Sequence, residues 1–127
     1  MDSDLHQPLR AVRANFGSFG SEEAVLAEIV DRLVAALDPQ MIWLFGSRSL
    51  GNARADSDFD VLLVTKEAGG FDGEDYDRVY APLMGTGIGA DVVPCDLEVF
   101  RASLGLNTSF VRQIVDHGRL LYGEVPV

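Results

Sequence analysis

The sequence is poor in the residues that build disulfides, thiolate metal sites and polyanion-binding surfaces. Its 127 residues include one cysteine, Cys95, and two histidines, His6 and His117. An internal disulfide is therefore impossible, and no Cys/His spacing of a zinc site exists. Cys95, beside a strand end, is expected to behave as a small buried hydrophobe. His117, just before Gly118, is expected at the negative end of a helix or in solvent. Basic side chains are scarce too: ten Lys and Arg stand against twenty Asp and Glu, a net charge of −10. That field repels a phosphate backbone and argues against non-specific binding of duplex nucleic acid. A chain of this charge that handles nucleotides needs a cation to bring the anion in. Long apolar runs are missing as well. The stretch from Ala24 to Leu37 is broken by Glu28, Asp31 and Arg32, so it cannot span a bilayer. The start, Met-Asp-Ser-Asp, has no basic segment followed by an apolar one, so no signal peptide is expected and the cytoplasm is the expected location.

What is there suffices for a packed core. Hydrophobic residues make up 47% of the chain, and the length fits one domain. Leu5, Leu9, Val12 and Phe16 recur at helical spacing within a separate N-terminal segment, residues 1–20, that Gly17 and Gly20 break. Residues 21–127 form the expected main domain. Ser21 is placed to cap a helix that carries Glu22 and Glu23 at its positive end and Leu26, Ile29, Leu33 and Leu37 on one face. Asp38-Pro39 ends it. Met41–Phe45 and Phe59–Thr65 are continuous apolar runs of strand length, which suggests cover on both faces. A weaker helix is expected over Asp75–Leu83 and a third strand over Ala90–Val93, closed by Pro94. Short helices follow over Leu97–Leu104 and Thr108–His117, the second capped by Asn107 or Thr108 and stopped by Gly118. Leu120–Tyr122 adds an extended piece. Helix, strand, strand, helix, strand, helix is an α/β or α+β order.

The chemistry concentrates in LFGSRSLGNARADSDFDVLLV, residues 44–64. Asp58 and Asp60 flank Phe59 at the head of an apolar strand. Residues i and i+2 of a strand share a face, with Cα atoms roughly 6.6 Å apart. Two carboxylates at that spacing can converge on divalent cations, and Mg²⁺ favours a few carboxylates together with waters and phosphate oxygens. Without a cation they repel each other. A turn-and-cap role would account for Asp58. It accounts poorly for Asp60, a charge one step into an apolar run. Gly46-Ser47 ends the preceding strand, where a glycine permits close backbone approach to a ligand and adjacent N–H groups can hold a phosphate. Gly46 to Gly51 has the glycine spacing of a P-loop, but Asn52 and Ala53 stand where Lys and Ser/Thr are needed, so that reading fails. A third carboxylate is expected for a two-metal displacement. Asp91, inside the strand Ala90–Val93, is preferred to Asp96, which reads better as a helix cap.

Together these residues resemble the nucleotidyltransferases of the DNA polymerase β superfamily. Their Gly-Ser, ten residues, Asp-x-Asp pattern appears as Gly46-Ser47, Arg48 to Ser57, and Asp58-Phe59-Asp60. The likeness is greatest to the minimal nucleotidyltransferases (MNT), with a motif of the form GSRxxGxARxxSDxDhhh. It extends through FVRQIVDHGRLLYG and covers most of residues 22–123. The resemblance implies a small mixed β-sheet flanked by helices. It implies that Gly46 and Ser47 hold a nucleoside triphosphate, and that Asp58 and Asp60, completed by Asp91, bind two Mg²⁺ ions. Nucleoside monophosphate, AMP from ATP, would then pass to a hydroxyl with release of pyrophosphate. Arg48 and Arg54 are read either as supplementary phosphate contacts or as surface charge. Relatives of this size pair with HEPN-family toxin ribonucleases, so the implied role is the antitoxin of such a pair, acting on a partner protein. The alternatives are an antitoxin or interaction module that binds nucleotide without turnover and transfer to a small molecule such as an aminoglycoside. The acceptor would be held by a partner, a second copy in a homo-oligomer, or the segment Gly85–Gly89.

Overall fold

The computed structural model describes residues 15–54, 57–66 and 79–125. Helix α1 (Glu22–Leu37) begins where the sequence places it. Ser21 Oγ accepts the Ala24 N–H at 3.1 Å, and Glu22 and Glu23 occupy the positive first turn. The helix closes on Asp38, which is left-handed (φ 46°) and donates its N–H to the Val34 carbonyl. Strand β1 (Met41–Phe45) follows, then a one-turn helix α2 (Ser47–Leu50), then β2 (Phe59–Thr65). Val79 and Tyr80 are helical and run into a 3₁₀ turn, Ala81–Leu83. The remainder is β3 (Ala90–Asp96), α3 (Leu97–Leu104), α4 (Phe110–His117) and β4 (Arg119–Gly123).

The four strands form one mixed sheet in the order β3-β2-β1-β4. β1 runs antiparallel to β2 and to β4, and β2 is parallel to β3. The two central strands are buried on both faces, as their unbroken apolar runs require. One face carries Ile42, Leu44, Phe59, Val61 and Leu63 beneath Val25, Leu26, Ile29 and Leu33 of α1. The other carries Met41, Trp43, Leu62 and Val64 beneath Leu97 and Phe100 of α3 and Val111 and Ile114 of α4. Each such side chain contributes about 1.5–3 kcal/mol on burial, which is what holds these short helices in place.

Several boundaries differ from expectation. β3 runs through Pro94 to Asp96 instead of stopping at Val93. It lies at the sheet's edge, where a missing N–H disturbs only one side of the ladder. Helix α4 starts at Phe110, and its cap is Ser109, whose Oγ accepts the Arg112 N–H at 3.0 Å, not Asn107 or Thr108. The linker after β1 hides helix α2, too short to leave a periodic signal. Of the expected N-terminal helix, residues 1–14 lie outside the described residues. Phe16 is not helical: it is buried and forms an antiparallel bridge with Ile88. Residues 75–78 of the helix expected over Asp75–Leu83 also lie outside the described residues. Cys95 is half-buried, and burial followed by the Asp96 charge pushes its thiol up to about 11, so it is no thiolate nucleophile at neutral pH.

Candidate active site

The second face of the sheet is apolar under α3 and α4 and turns acidic where that cover stops. Asp60 is the cross-strand partner of Phe45 on β1 and of Asp91 on β3. Register partners share a face, so Asp60 and Asp91 stand side by side. Asp58, two residues before Asp60, is exposed and near enough to act on it electrostatically. Burial first, then the charges of Asp91 and Asp58, push the Asp60 carboxyl above the usual aspartate range. A carboxylate in that state gains from any cation brought to it.

Each outer carboxylate is oriented by a neutral donor. Asn15 Nδ2 donates to Asp58 Oδ1 at 3.0 Å. The Tyr80 hydroxyl donates to Asp91 Oδ1 at 2.5 Å and accepts the Val92 N–H at 3.2 Å. Neither partner was legible in the sequence. Asn15 lies 43 residues from Asp58, and Tyr80 carries no motif. Among the described residues, no three Asp, Glu, His or Cys side chains are grouped closely enough to enclose an ion by themselves. The donor set still fits Mg²⁺, because all its members are carboxylates and Mg²⁺ is ordinarily held by one or two of these with phosphate oxygens and water.

Asp96 is the helix cap it was expected to be, accepting the Val99 N–H at 2.8 Å at the start of α3. That occupies its carboxylate elsewhere and leaves Asp91 as the β3 residue in register with Asp60.

Gly46 is fixed by two constraints. Its φ of +75° is a conformation L-residues rarely adopt, and a Cβ here would sit 2.5 Å from Asp60 Oδ2. The loop backbone therefore lies directly against the central carboxylate. The Gly46 carbonyl then accepts the N–H groups of Ser49 and Leu50 and the Ser49 hydroxyl. This holds α2 upright, with Ser47 in its first turn.

The two arginines part company. Arg54 is exposed, in a turn closed by its N–H to Ser57 Oγ and by the Ser57 N–H to its carbonyl, both at 3.0 Å. Arg48 is neither surface charge nor a guanidinium offered to the cleft. It is 8% exposed. It donates to Glu22 Oε2 at 2.9 Å and twice to the Ser57 carbonyl, at 2.7 and 3.2 Å. Its guanidinium carbon lies 4.2 Å from the Phe59 ring centroid and 5.2 Å from that of Phe16. Arg48 thus ties the residue before Asp58 to α1. The surrounding apolar side chains explain the discrepancy: a guanidinium is weakly hydrated and stacks on aromatic rings, so it can be buried where an ammonium could not.

Beside Asp60, Phe45 makes an edge-on contact with Phe110 of α4 (centroids 5.2 Å apart, 88° between planes). The pair lines a cavity of about 420 Å³ between α2 and α4 that reaches Gly46. Sequence reading missed it, since its walls come from two segments distant in the chain, Phe45–Leu50 and Phe110–Gly118.

Comparison with known proteins bears on the family and the fold. Residues 27–125 match the family described as polymerase beta, nucleotidyltransferase. No curated protein matches the sequence. Among solved structures, a toxin–antitoxin complex with AMP-PNP aligns over 78% of this chain and 73% of its own, with 24% identity and a TM-score of 0.53. A proposed nucleotidyltransferase from Sulfolobus solfataricus aligns over 80% and 85%, with 21% identity and a TM-score of 0.52. A mutant of the toxin–antitoxin pair MntA–HpeT aligns over 78% and 73%, with 21% identity and a TM-score of 0.51. These likenesses establish the fold, a mixed sheet flanked by helices. With the family match spanning most of the sequence, the chain belongs to the polymerase beta nucleotidyltransferase family.

Proposed function

We propose that this nucleotidyltransferase moves AMP from ATP onto a hydroxyl of a partner protein in an Mg²⁺-dependent reaction in the cytoplasm, as the antitoxin of a toxin–antitoxin pair whose toxin is of the HEPN type. The observation that carries the catalytic part is the packing of Gly46 against Asp60, with Asp91 in register beside it. It brings the backbone read here as the phosphate cradle against a carboxylate at one point of the sheet. The partner part draws support from the toxin–antitoxin complexes among the structural relatives, one of them holding AMP-PNP. In the MntA–HpeT mutant the two aspartates changed to glutamate stand two residues apart, the spacing of Asp58 and Asp60.

In this reading Asp58 and Asp60 hold the metal, with Asp91 completing the set. When bound, Mg²⁺ neutralises phosphate charge and favours in-line displacement at the α-phosphorus. The chain's own residues do the positioning. Gly46 and Ser47 hold the triphosphate through backbone N–H groups and the Ser47 hydroxyl. Asp91, on the edge strand, accepts the proton of the attacking hydroxyl, and the Tyr80 hydrogen bond fixes which of its oxygens faces the cleft. Arg54, exposed at the loop's far end, supplements the phosphate contacts. Pyrophosphate leaves, and the new ester bond joins AMP to the acceptor.

The test is label transfer. The purified chain is incubated with Mg²⁺, α-labelled ATP and a lysate of its own source, with an Asp58→Ala/Asp60→Ala double variant as control. A labelled protein that the variant fails to produce establishes the transfer and identifies the acceptor by mass. Absence of any labelled product with all four nucleotides leaves a nucleotide-binding module that acts by contact.

A further inference from the structure

We infer that the cavity between α2 and α4 is the nucleobase pocket of the substrate, with the base lying against the Phe45–Phe110 pair. The inference rests on the nucleotide-binding reading above and adds where the base goes and what recognises it. Four observations converge. The cavity, about 420 Å³, lies within the range that holds small organic ligands. It is continuous with the phosphate end of the site, because Gly46 both lines it and abuts the Asp60 carboxylate. Its walls are of the kind that suits a flat, weakly polar ring. Leu50, Ile114 and the two phenylalanines supply apolar surface, and aromatic rings stack on any base. Its rim carries polar side chains, Gln113 and His117, both exposed on α4 and able to hydrogen-bond to a base edge.

Exposure supports the same assignment. Leu50 and Phe110 are 57% and 53% exposed, whereas Val111 and Ile114, on the same helix as Phe110, are buried. A base between them would cover both. The remaining polar and charged groups of the site lie on the other side of Phe45, towards β2 and β3. The cavity is therefore the apolar half of one continuous cleft, and the carboxylates are its polar half. A nucleoside triphosphate has the same division.

Calorimetric titration of the full chain with Mg–ATP and with Mg–tripolyphosphate separates the two halves. The wild type binds Mg–ATP more tightly than Mg–tripolyphosphate. Phe110→Ala, at an exposed position that leaves the melting temperature near that of the wild type, weakens Mg–ATP about tenfold. It leaves Mg–tripolyphosphate unchanged. Gln113→Trp, which fills the rim, does the same, and Phe110→Trp restores Mg–ATP binding. Asp60→Asn weakens both ligands alike. If Phe110→Ala and Gln113→Trp bind Mg–ATP like the wild type while Asp60→Asn does not, the pocket assignment fails and the transferase reading stands. Equal loss of both ligands in Phe110→Ala also overturns the pocket. Binding of neither ligand by the wild type overturns both readings.

Discussion

The two faces of the sheet are built to different ends. On the first, β2 presents Phe59, Val61 and Leu63, all fully buried beneath α1. The layer is sealed even at its tip, where Arg48 fills the gap between Phe16 and Phe59. On the second, β2 presents Leu62 and Val64 under α3 and α4, but the next position along is Asp60. The cover stops there, and Asp60 and Asp91 stand in register where a sealed face would have apolar side chains. Among the described residues, the buried charge of the sealed face is Arg48, and it holds the open face's loop in place. Arg48 reaches from the core to the carbonyl of Ser57, immediately before Asp58. The sealed core and the candidate site therefore meet at Gly46, Arg48 and Ser57, and substitutions there should separate stability from nucleotide binding.

The largest effect on stability is expected from Arg48→Met. The substitution keeps the apolar stem, removes the stacking on two rings and leaves the Ser57 carbonyl without its donor. A cost of about 2–4 kcal/mol follows, visible as a shift of the urea midpoint with an unchanged slope. Arg48→Lys should recover little of it, because an ammonium cannot bridge Glu22 and Ser57 as the planar fork does. If Arg48→Met melts with the wild type and loses only nucleotide affinity, Arg48 belongs to the open face after all.

Gly46→Ala tests the seam between the faces. The new Cβ meets Asp60 Oδ2 and must also adopt a positive φ. Destabilisation of roughly 1–3 kcal/mol is expected, with loss of Mg–ATP binding beyond what the stability change explains. Combining it with Asp60→Ala removes the clash but not the backbone strain, so the pair should be less destabilised than the sum of the singles. Strict additivity would show that the packing of Gly46 on Asp60 has no energetic weight.

How much of this was legible in the sequence divides along the same line. The strands of the sealed core were readable because their apolar runs have strand length, and α1 because Ser21, Glu22-Glu23 and Pro39 mark its ends. The site's position was readable because Asp60 is a charge in an apolar strand, which core formation alone does not produce. Asp91 was readable for the same reason. What escaped were relations between distant segments: Tyr80 on Asp91, Asn15 on Asp58, Phe45 on Phe110. None carries a local signal, since each depends on strand order. Arg48 misled because a motif arginine beside a glycine expected to bind phosphate suggests a phosphate contact. Only the arrival of Phe16 and Glu22 from elsewhere in the chain shows it to be buried.

Asp60→Asn should reverse the sign seen on the sealed face. Because the Asp60 carboxyl is raised in the folded chain, folding without metal takes up a proton between the ordinary aspartate value of 3.8 and the raised one. Its contribution to stability is present at low pH and is lost as pH rises through the folded-state value. At neutral pH without metal the charged side chain thus opposes folding, and Asp60→Asn should melt roughly 2–4 °C above the wild type, a small gain because the group is partly solvated. Added Mg²⁺ with ATP should raise the wild-type melting temperature and leave the variant's unchanged. Acidification through the raised value should abolish that ligand-dependent rise in the wild type. A variant less stable than the wild type in metal-free buffer would mean that Asp60 serves the fold and not a cation.

The smallest effect is expected from Tyr80→Phe, and it decides how far the open face is ordered before ligand arrives. The hydroxyl bridges the Asp91 carboxylate and the Val92 N–H at the sheet's edge. The exposed Asp91 carboxylate can turn to water when it is removed, while the N–H of buried Val92 loses its acceptor, so stability should fall by only about 1 kcal/mol. Asp91 would then be free to rotate. If its orientation matters to proton transfer, kcat should fall about tenfold with KM for ATP unchanged. An unchanged kcat would mean that the bond merely closes the edge of β3. In that case the open face is arranged by its ligands, and the order seen at Asp91 belongs to the fold of the edge strand.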